Sequence, residues 1–279
     1  VGRGMARIMS LVMTVFMVVP ILAPLIGQTV LNVFHIWQST FGILAIGGAI
    51  MLVWSHFRMP ETRPPEKRTS IAPKAIFEAY ATVFKTRLAL GYMLASGVIF
   101  GALFAFISSS EQIFNDIFQT PETFVYWFAG IAAAMSVANF TNSRIVEKFG
   151  QRVISHAAMI GFTFFSVVLL IVTHVFGPNL YVFMFFFALV FMNFGFMGPN
   201  FNSMAMEPLG RIAGTASALL GFASTTMAAS IGGFIARQYD GTLIPVLIGY
   251  VGLGVVSLII VFVTEKGKLF GNGQDEAAE

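Results

Sequence analysis

"PNFNSMAMEPLGRIAGTASALLGF", residues 199–222, sets two prolines, a Glu–Arg pair and a ladder of small residues between two long apolar runs. Those runs, 180–203 and 211–235, are each long enough for a helix to cross a hydrocarbon core of about 30 Å. Glu207 and Pro208 stand where the second helix is expected to begin. The proline lacks a donor that would be unsatisfied there in any case, and the carboxylate complements the positive end of the helix dipole. Arg211, four residues on, is placed to pair with Glu207. Beyond it Gly210, Gly214 and Ala218 recur every four residues, with Ser217 and Gly221 on an adjacent face, the pattern that lets membrane helices approach closely. The stretch thus predicts a charged turn between two membrane helices, the second built to lie against a neighbour.

The composition agrees. Hydrophobic residues make up 57% of the 279 and charged residues only 10%, whereas soluble domains carry about 25% charged residues. Mean hydropathy is +0.82. The long runs exclude the short alternating segments of an outer-membrane barrel, so the fold class is an all-α integral membrane protein. The absence of cysteine excludes disulfides and thiol chemistry. The sequence opens on Val1 and Gly2 with no initiator Met and no leader pattern, and reads as a fragment.

Apolar stretches of membrane length, bounded by charge, Pro and Gly, predict eight spans: 8–31, 36–57, 88–111, 123–142, 153–174, 180–203, 211–235 and 243–264. If successive spans alternate in direction, Arg237 alone of the 16 lysines and arginines falls on one side. The rich side is then cytoplasmic, with both ends of the chain inside. One missed or invented span would scatter that charge.

The interval 58–87 begins as a charged, Pro-rich linker, which marks a seam between two spans before it and six after. Within it, residues 74–85 place Ile76, Phe77, Tyr80, Val83 and Phe84 on one helical side. That helix either lies on the membrane surface or packs on the bundle ends. The expected organisation is 1–58 for two helices of a first bundle, 59–87 for the linker with its amphipathic helix, 88–266 for a six-helix bundle, and 267–279 for a disordered cytoplasmic tail.

In the first span, "VVPILAPLIGQ" puts Pro20, Pro24 and Gly27 on one helix face, a kinked face that must pack against protein. With this stretch, the "PET" after the second span and residues 199–222, the chain resembles the major facilitator superfamily, in its bicyclomycin/chloramphenicol-resistance (Bcr/CflA) branch of drug/proton antiporters. That resemblance implies a partial version of a twelve-span fold, covering the fifth to twelfth helices. It places Pro24 and Gly27 in the family's antiporter motif, with Gln28 where a second Gly is usual. It also makes "SRIVEKFGQR", in the loop between 142 and 153, similar to the superfamily's Gly-x-x-x-Asp-Arg/Lys-x-Gly-Arg-Arg/Lys loop. Glu147, Lys148, Gly150 and Arg152 occupy matching places, while Ser143 and Gln151 depart from the pattern. Gly150 would permit the tight turn and the charges would act in gating, together with Glu207 and Arg211; a merely basic cytoplasmic turn accounts for the same charge.

Few polar residues lie inside the spans, where their burial is costly. Phe100, Phe104, Ser108 and Glu111 share one face of the third span. Asn139, Asn193, Ser224 and Thr225 lie within later ones. Phe100, Phe104, Glu111, Asn139, Asn193, Ser224 and Thr225 are the candidate lining of a cavity for lipophilic, weakly cationic or zwitterionic compounds, although interhelical or same-helix hydrogen bonds account for the polar members too. No acid or base stands at the middle of a span, and the four histidines lie towards span ends without ligand spacing, so no metal site and no cofactor are expected. The resemblance implies proton-driven multidrug efflux by alternating access across the bacterial inner membrane, by a monomer when full length. Its partners would be the bilayer, drug-like small molecules and protons, with coupling residues in helices outside this chain and no nucleic acid. A same-fold exporter of one metabolite, such as an amino acid or polyamine, and a non-transporting scaffold are the alternatives. A membrane-embedded enzyme would need paired acids, a metal set or an activated nucleophile, and the sequence offers none.

Overall fold

The computed structural model describes residues 22–23, 26–60 and 72–271, except the side chain of Arg211. Among them, seven helices are long and apolar enough to cross a membrane. The first predicted span falls mostly outside the described residues, Pro20 and Pro24 included. Its described end, 26–34 (α1), is helical and stops at His35, whose φ is +58°. Helix α2 (Gln38–Arg58) follows.

The chain divides into two compact units, Val1–Ile76 and Phe77–Glu279. The division falls inside helix α3 (Pro73–Lys85), so the second half of that helix belongs with the bundle. Its inward face differs from the expected one. Ala79 and Val83 are buried and Tyr80 packs on the core, while Phe77 and Phe84 stay 71% and 52% exposed. Small Ala79 lets the helix lie close, which turns the two bulky rings away.

The second unit continues with α4 (Arg87–Gln112), a π-helical turn at Ile113–Ile117, α5 (Phe124–Phe149), α6 (Gln151–Phe176), α7 (Leu180–Met206), a 3-10 segment at Glu207–Ile212, α8 (Ala213–Arg237) and α9 (Ile244–Thr264). The helices alternate in direction. Arg87 donates to the Thr264 carbonyl and Gln151 Nε2 to Ser203 Oγ (3.0 Å) at one end, called here the basic end. Tyr239 Oη approaches Asp116 Oδ2 (3.4 Å) at the other. Asn179 starts α7 by accepting from the amides of Tyr181 and Val182.

Helix α4 is the most buried, because its glycines let neighbours in. A β-carbon on Gly97 would lie 3.0 Å from Met227 of α8, and one on Gly91 would overlap Thr264 of α9. The closest approach of α8 is at Gly232, where a β-carbon would lie 2.8 Å from the Gly101 carbonyl oxygen. This was not the face expected. Gly210, Gly214 and Gly221 have open space where a β-carbon would go, and Ala218 is exposed. Helix α8 instead turns Ala216, Leu219, Leu220, Ala228, Gly232 and Ile235 inward. Phe106, Phe187 and Phe191 pack edge to face and tilted through the core, where Tyr250 of α9 donates its hydroxyl to the Ala102 carbonyl of α4 (2.6 Å). Phe164, Phe185, Phe222 and Phe234 face outward, an apolar surface that suits lipid.

Three connections differ from expectation. The loop drawn between 142 and 153 is one residue long, since α5 runs to Phe149 and α6 starts at Gln151 around Gly150 (φ +81°). A polar sequence here continues the helix past the apolar stretch instead of ending it. The helix expected to start at Glu207–Pro208 is the 3-10 segment, with a kink at Leu209 (φ −109°, ψ 16°), and α8 begins only at Ala213. Residues 267–271 of the tail expected to be disordered are folded back by hydrogen bonds from Gly267 N to Phe262 O and Lys268 N to Glu265 O.

Candidate functional site

A buried polar cluster occupies the basic end, where α4, α6 and the residue after α9 meet. Arg152 lies in the first turn of α6, beside a positive dipole end; Glu265 follows the last residue of α9, beside a negative one. Each charge opposes the dipole of its own helix. Because the two helices are antiparallel, they bring the charges together: Arg152 Nε lies 2.9 Å from Glu265 Oε1, with both side chains largely buried. Tyr92 of α4 donates its hydroxyl to the same oxygen (2.5 Å). His156, one turn beyond Arg152, has Nε2 3.0 Å from Tyr92 Oη and Nδ1 3.1 Å from the amide nitrogen of Phe270. Phe201 of α7 covers the Tyr92 ring, 5.4 Å between centroids.

Beside this cluster, an open cleft is lined by Glu147, Lys148, Gly150, Gln151, Arg152, Ser203, Glu207 and Gly271. The structure therefore brings the two sequence-predicted gating loops to one place. Glu207 lines the cleft together with Arg152.

The seven predicted cavity residues do not converge in the same way. Phe100 packs on Phe194 (5.1 Å), and Phe104 lies against Gly232. Asn139 and Asn193 each donate to a carbonyl of their own helix, at Met135 and Leu189. Asn193 points its oxygen at Gly161 of α6. Ser224 is half-buried and Thr225 exposed on α8, and Glu111 is exposed at the outer end of α4. Gly27 has open space around its α-carbon among the described residues. At the end away from the basic cluster, burial first and the Asp116 carboxylate second push the Tyr239 phenol up, while hydrogen bonds from Thr242 hold Asp240 below the usual carboxylate range.

Sequence reasoning missed Tyr92, His156 and Glu265. One signal was available: an acid at a helix C-terminus and an arginine at a helix N-terminus are each unfavourable alone, so each calls for a partner. A second buried pair was also missed. Asn200 Nδ2 of α7 donates to Asn142 Oδ1 of α5 (2.8 Å).

Residues 3–233 match the family model described as Major Facilitator Superfamily. The chain belongs to that superfamily. Among its curated relatives, the bicyclomycin resistance protein homolog of Haemophilus influenzae is 29% identical over 276 residues, covering 96% of this chain and 67% of the relative. An uncharacterized MFS-type transporter of Bacillus subtilis, YdgK, is 28% identical over 79% of this chain and 55% of its own length. The multidrug resistance protein MdtL of Escherichia coli is 25% identical over 95% of this chain and 66% of its own length. The branch that the sequence motifs resemble is thus represented among the relatives. No solved structure matches. The superfamily is one of transporters, and the seven apolar helices make this chain a multi-pass membrane protein.

Proposed function

We propose that this chain is part of a proton-driven exporter of small lipophilic or amphiphilic compounds in the bacterial inner membrane, with the basic end cytoplasmic. The observation that carries this reading is the match, along nearly the whole chain, to relatives named for bicyclomycin and multidrug resistance. The chain spans about two thirds or less of those relatives' length, so the activity is proposed for the whole transporter.

The chemistry of the spans supports a lipophilic cargo. Between residues 88 and 110, and from 213 to 236, no acid or base interrupts the helix. Phe100 and Phe104 of α4 together with Ser224 and Thr225 of α8 are the proposed lining, because these two helices are in direct contact at Gly101 and Gly232. Glu111 at the outer end is the proposed attraction for a cationic group. Asn139 serves its own helix, and Asn193 belongs to the α6–α7 contact. The exposed ladder of Gly210, Gly214, Ala218 and Gly221 is the face proposed to slide against another helix during alternating access. In the same cycle the paired loops at Glu147–Arg152 and Glu207–Arg211 gate the cytoplasmic side, and Pro20, Pro24 and Gly27 form a kinked contact face.

The test is expression of the full-length protein in a bacterium stripped of its own efflux pumps, with resistance scored against a panel that includes bicyclomycin. Export of a lipophilic fluorescent cation by everted vesicles, abolished by a protonophore, is the expected result. Unchanged susceptibility across the panel, with the protein present in the membrane, would sink the reading.

A further inference from the structure

The segment after α9 is tied to the bundle by a hydrogen-bond relay that runs in one direction only. Helix α9 stops at a reversal in which Lys266 takes a left-handed conformation (φ +51°) and Gly267 N reaches back to Phe262 O. That stop accounts for Lys266 but not for Phe270, a second left-handed residue (φ +67°) lying outside the cap. Phe270 is held instead by its amide bond to His156 Nδ1 (3.1 Å) and by its ring, 5.8 Å from the imidazole. Leu269 beside it packs on the core.

The donors settle the histidine's state. A backbone N–H only donates, so Nδ1 must offer a bare lone pair, and the ring's hydrogen is on Nε2. That hydrogen goes to Tyr92 Oη, which leaves the Tyr92 hydroxyl hydrogen free for Glu265. The charged groups facing the ring, Arg152 on its own helix and Glu265 at the end of α9, are paired with each other. Tyr92 on α4 and Phe201 on α7 supply neutral surroundings. Glu207 lines the cleft with Arg152.

We propose that residues 265–271 form a strap over the basic end, latched by neutral His156 and released when a proton takes the Nδ1 lone pair. Proton and strap compete for one pair of electrons. Protonation moves the hydrogen balance by one: Nδ1 becomes a donor facing another donor, the Phe270 amide, and the bond is lost. Phe270 then keeps only its ring contact with the imidazole to hold the left-handed conformation. Gly271 lines the cleft next to Arg152, so release opens the rim of that cleft. The latch acts whatever the cargo, and it does not depend on the proposed export.

These 279 residues contain no cysteine, so paired labels require replacing only cysteines elsewhere in the full-length protein. Spin labels at Lys148→Cys and Lys268→Cys, in the full-length protein in lipid nanodiscs, report the strap's distance from the end of α5 by pulsed electron paramagnetic resonance. The expected distance distribution is narrow at about pH 7 and broad only at about pH 3.5, because a buried imidazole takes a proton well below its ordinary range. His156→Asn keeps an acceptor near the Nδ1 position and takes up no proton, so its distribution stays narrow at both. Amide exchange of residues 268–271 in the unaltered protein, corrected for intrinsic pH dependence, gives a reading independent of any variant. Protection should fall by about tenfold or more over the same range. Unchanged protection, an unchanged distribution in the unaltered protein, or equal broadening in His156→Asn each overturns the latch.

Discussion

Gly232 of α8 rests against Gly101 of α4 so closely that a β-carbon on Gly232 would lie 2.8 Å from the Gly101 carbonyl oxygen and 2.7 Å from the Ala105 nitrogen. Both obstacles are backbone, which cannot rotate aside. Gly232→Ala is therefore expected to cost about 1–3 kcal/mol, read as a lower unfolding temperature in detergent. Gly214→Ala, on the open face of the same helix, should leave that temperature unchanged or slightly higher, because alanine favours helix. Equal losses at the two positions would contradict the assignment of faces.

Glu265 is 8% exposed and holds Arg152 and Tyr92 at once. Glu265→Ala leaves a guanidinium and a hydroxyl short of an acceptor, with an expected cost of about 3 kcal/mol. Arg152→Gln leaves the carboxylate with Tyr92 alone and should also destabilise. The double variant Arg152→Gln with Glu265→Gln removes both charges and should fall short of the summed single losses by about 1–3 kcal/mol. Strict additivity in chemical unfolding would show that the pair contributes no coupling.

Sequence reasoning reached what periodicity and charge bookkeeping carry. The apolar runs from residue 88 onward become helices within a few residues of their expected limits, except that α5 runs seven residues past 142, since length and hydropathy decide membrane spans with little help from tertiary structure. Gly150 was legible because a glycine among charges between two apolar runs has few uses besides a positive φ. The orientation of α8 was not. A ladder of small residues says where a neighbour can come close, and only the rest of the bundle says which face it takes. Gly232 carried the contact from within "SIGGF", which has no periodic signature.

The same divide runs through the polar residues. Asn139 and Asn193 drew attention by depth, and each proves to bond its own helix. Asn142 and Asn200, nearer the end, cross-link two helices although 58 residues separate them. A single sequence gives no means of matching such distant partners. The Arg152–Glu265 pair lies 113 residues apart and was hidden for that reason, with the opposed helix dipoles as its one local mark.

The buried asparagine pair yields a directional expectation. Asn200→Ala deprives the 5% exposed Asn142 of its donor and should cost about 1–2 kcal/mol. Replacing both by leucine removes the unsatisfied group together with its partner and should recover part of that loss. A double variant less stable than Asn200→Ala would point to crowding between α5 and α7 instead of an unpaired amide.

The orientation in the membrane follows from α5 and can be tested at its two ends. Its 26 residues, at about 1.5 Å each, span about 39 Å, more than the hydrocarbon core, so both ends reach water. Glu122 precedes one end and Lys148 lies at the other; both are exposed. Among the described residues from Phe77 onward, lysines and arginines gather at the Lys148 end, whereas Arg237 stands alone at the Glu122 end. Since a basic excess stays on the cytoplasmic side, Glu122→Cys should react with an impermeant maleimide in intact cells, and Lys148→Cys only after lysis. Reaction of both in intact cells would mean that α5 does not cross the membrane, and reaction of Lys148→Cys alone would reverse the orientation on which the proposed cytoplasmic gate rests.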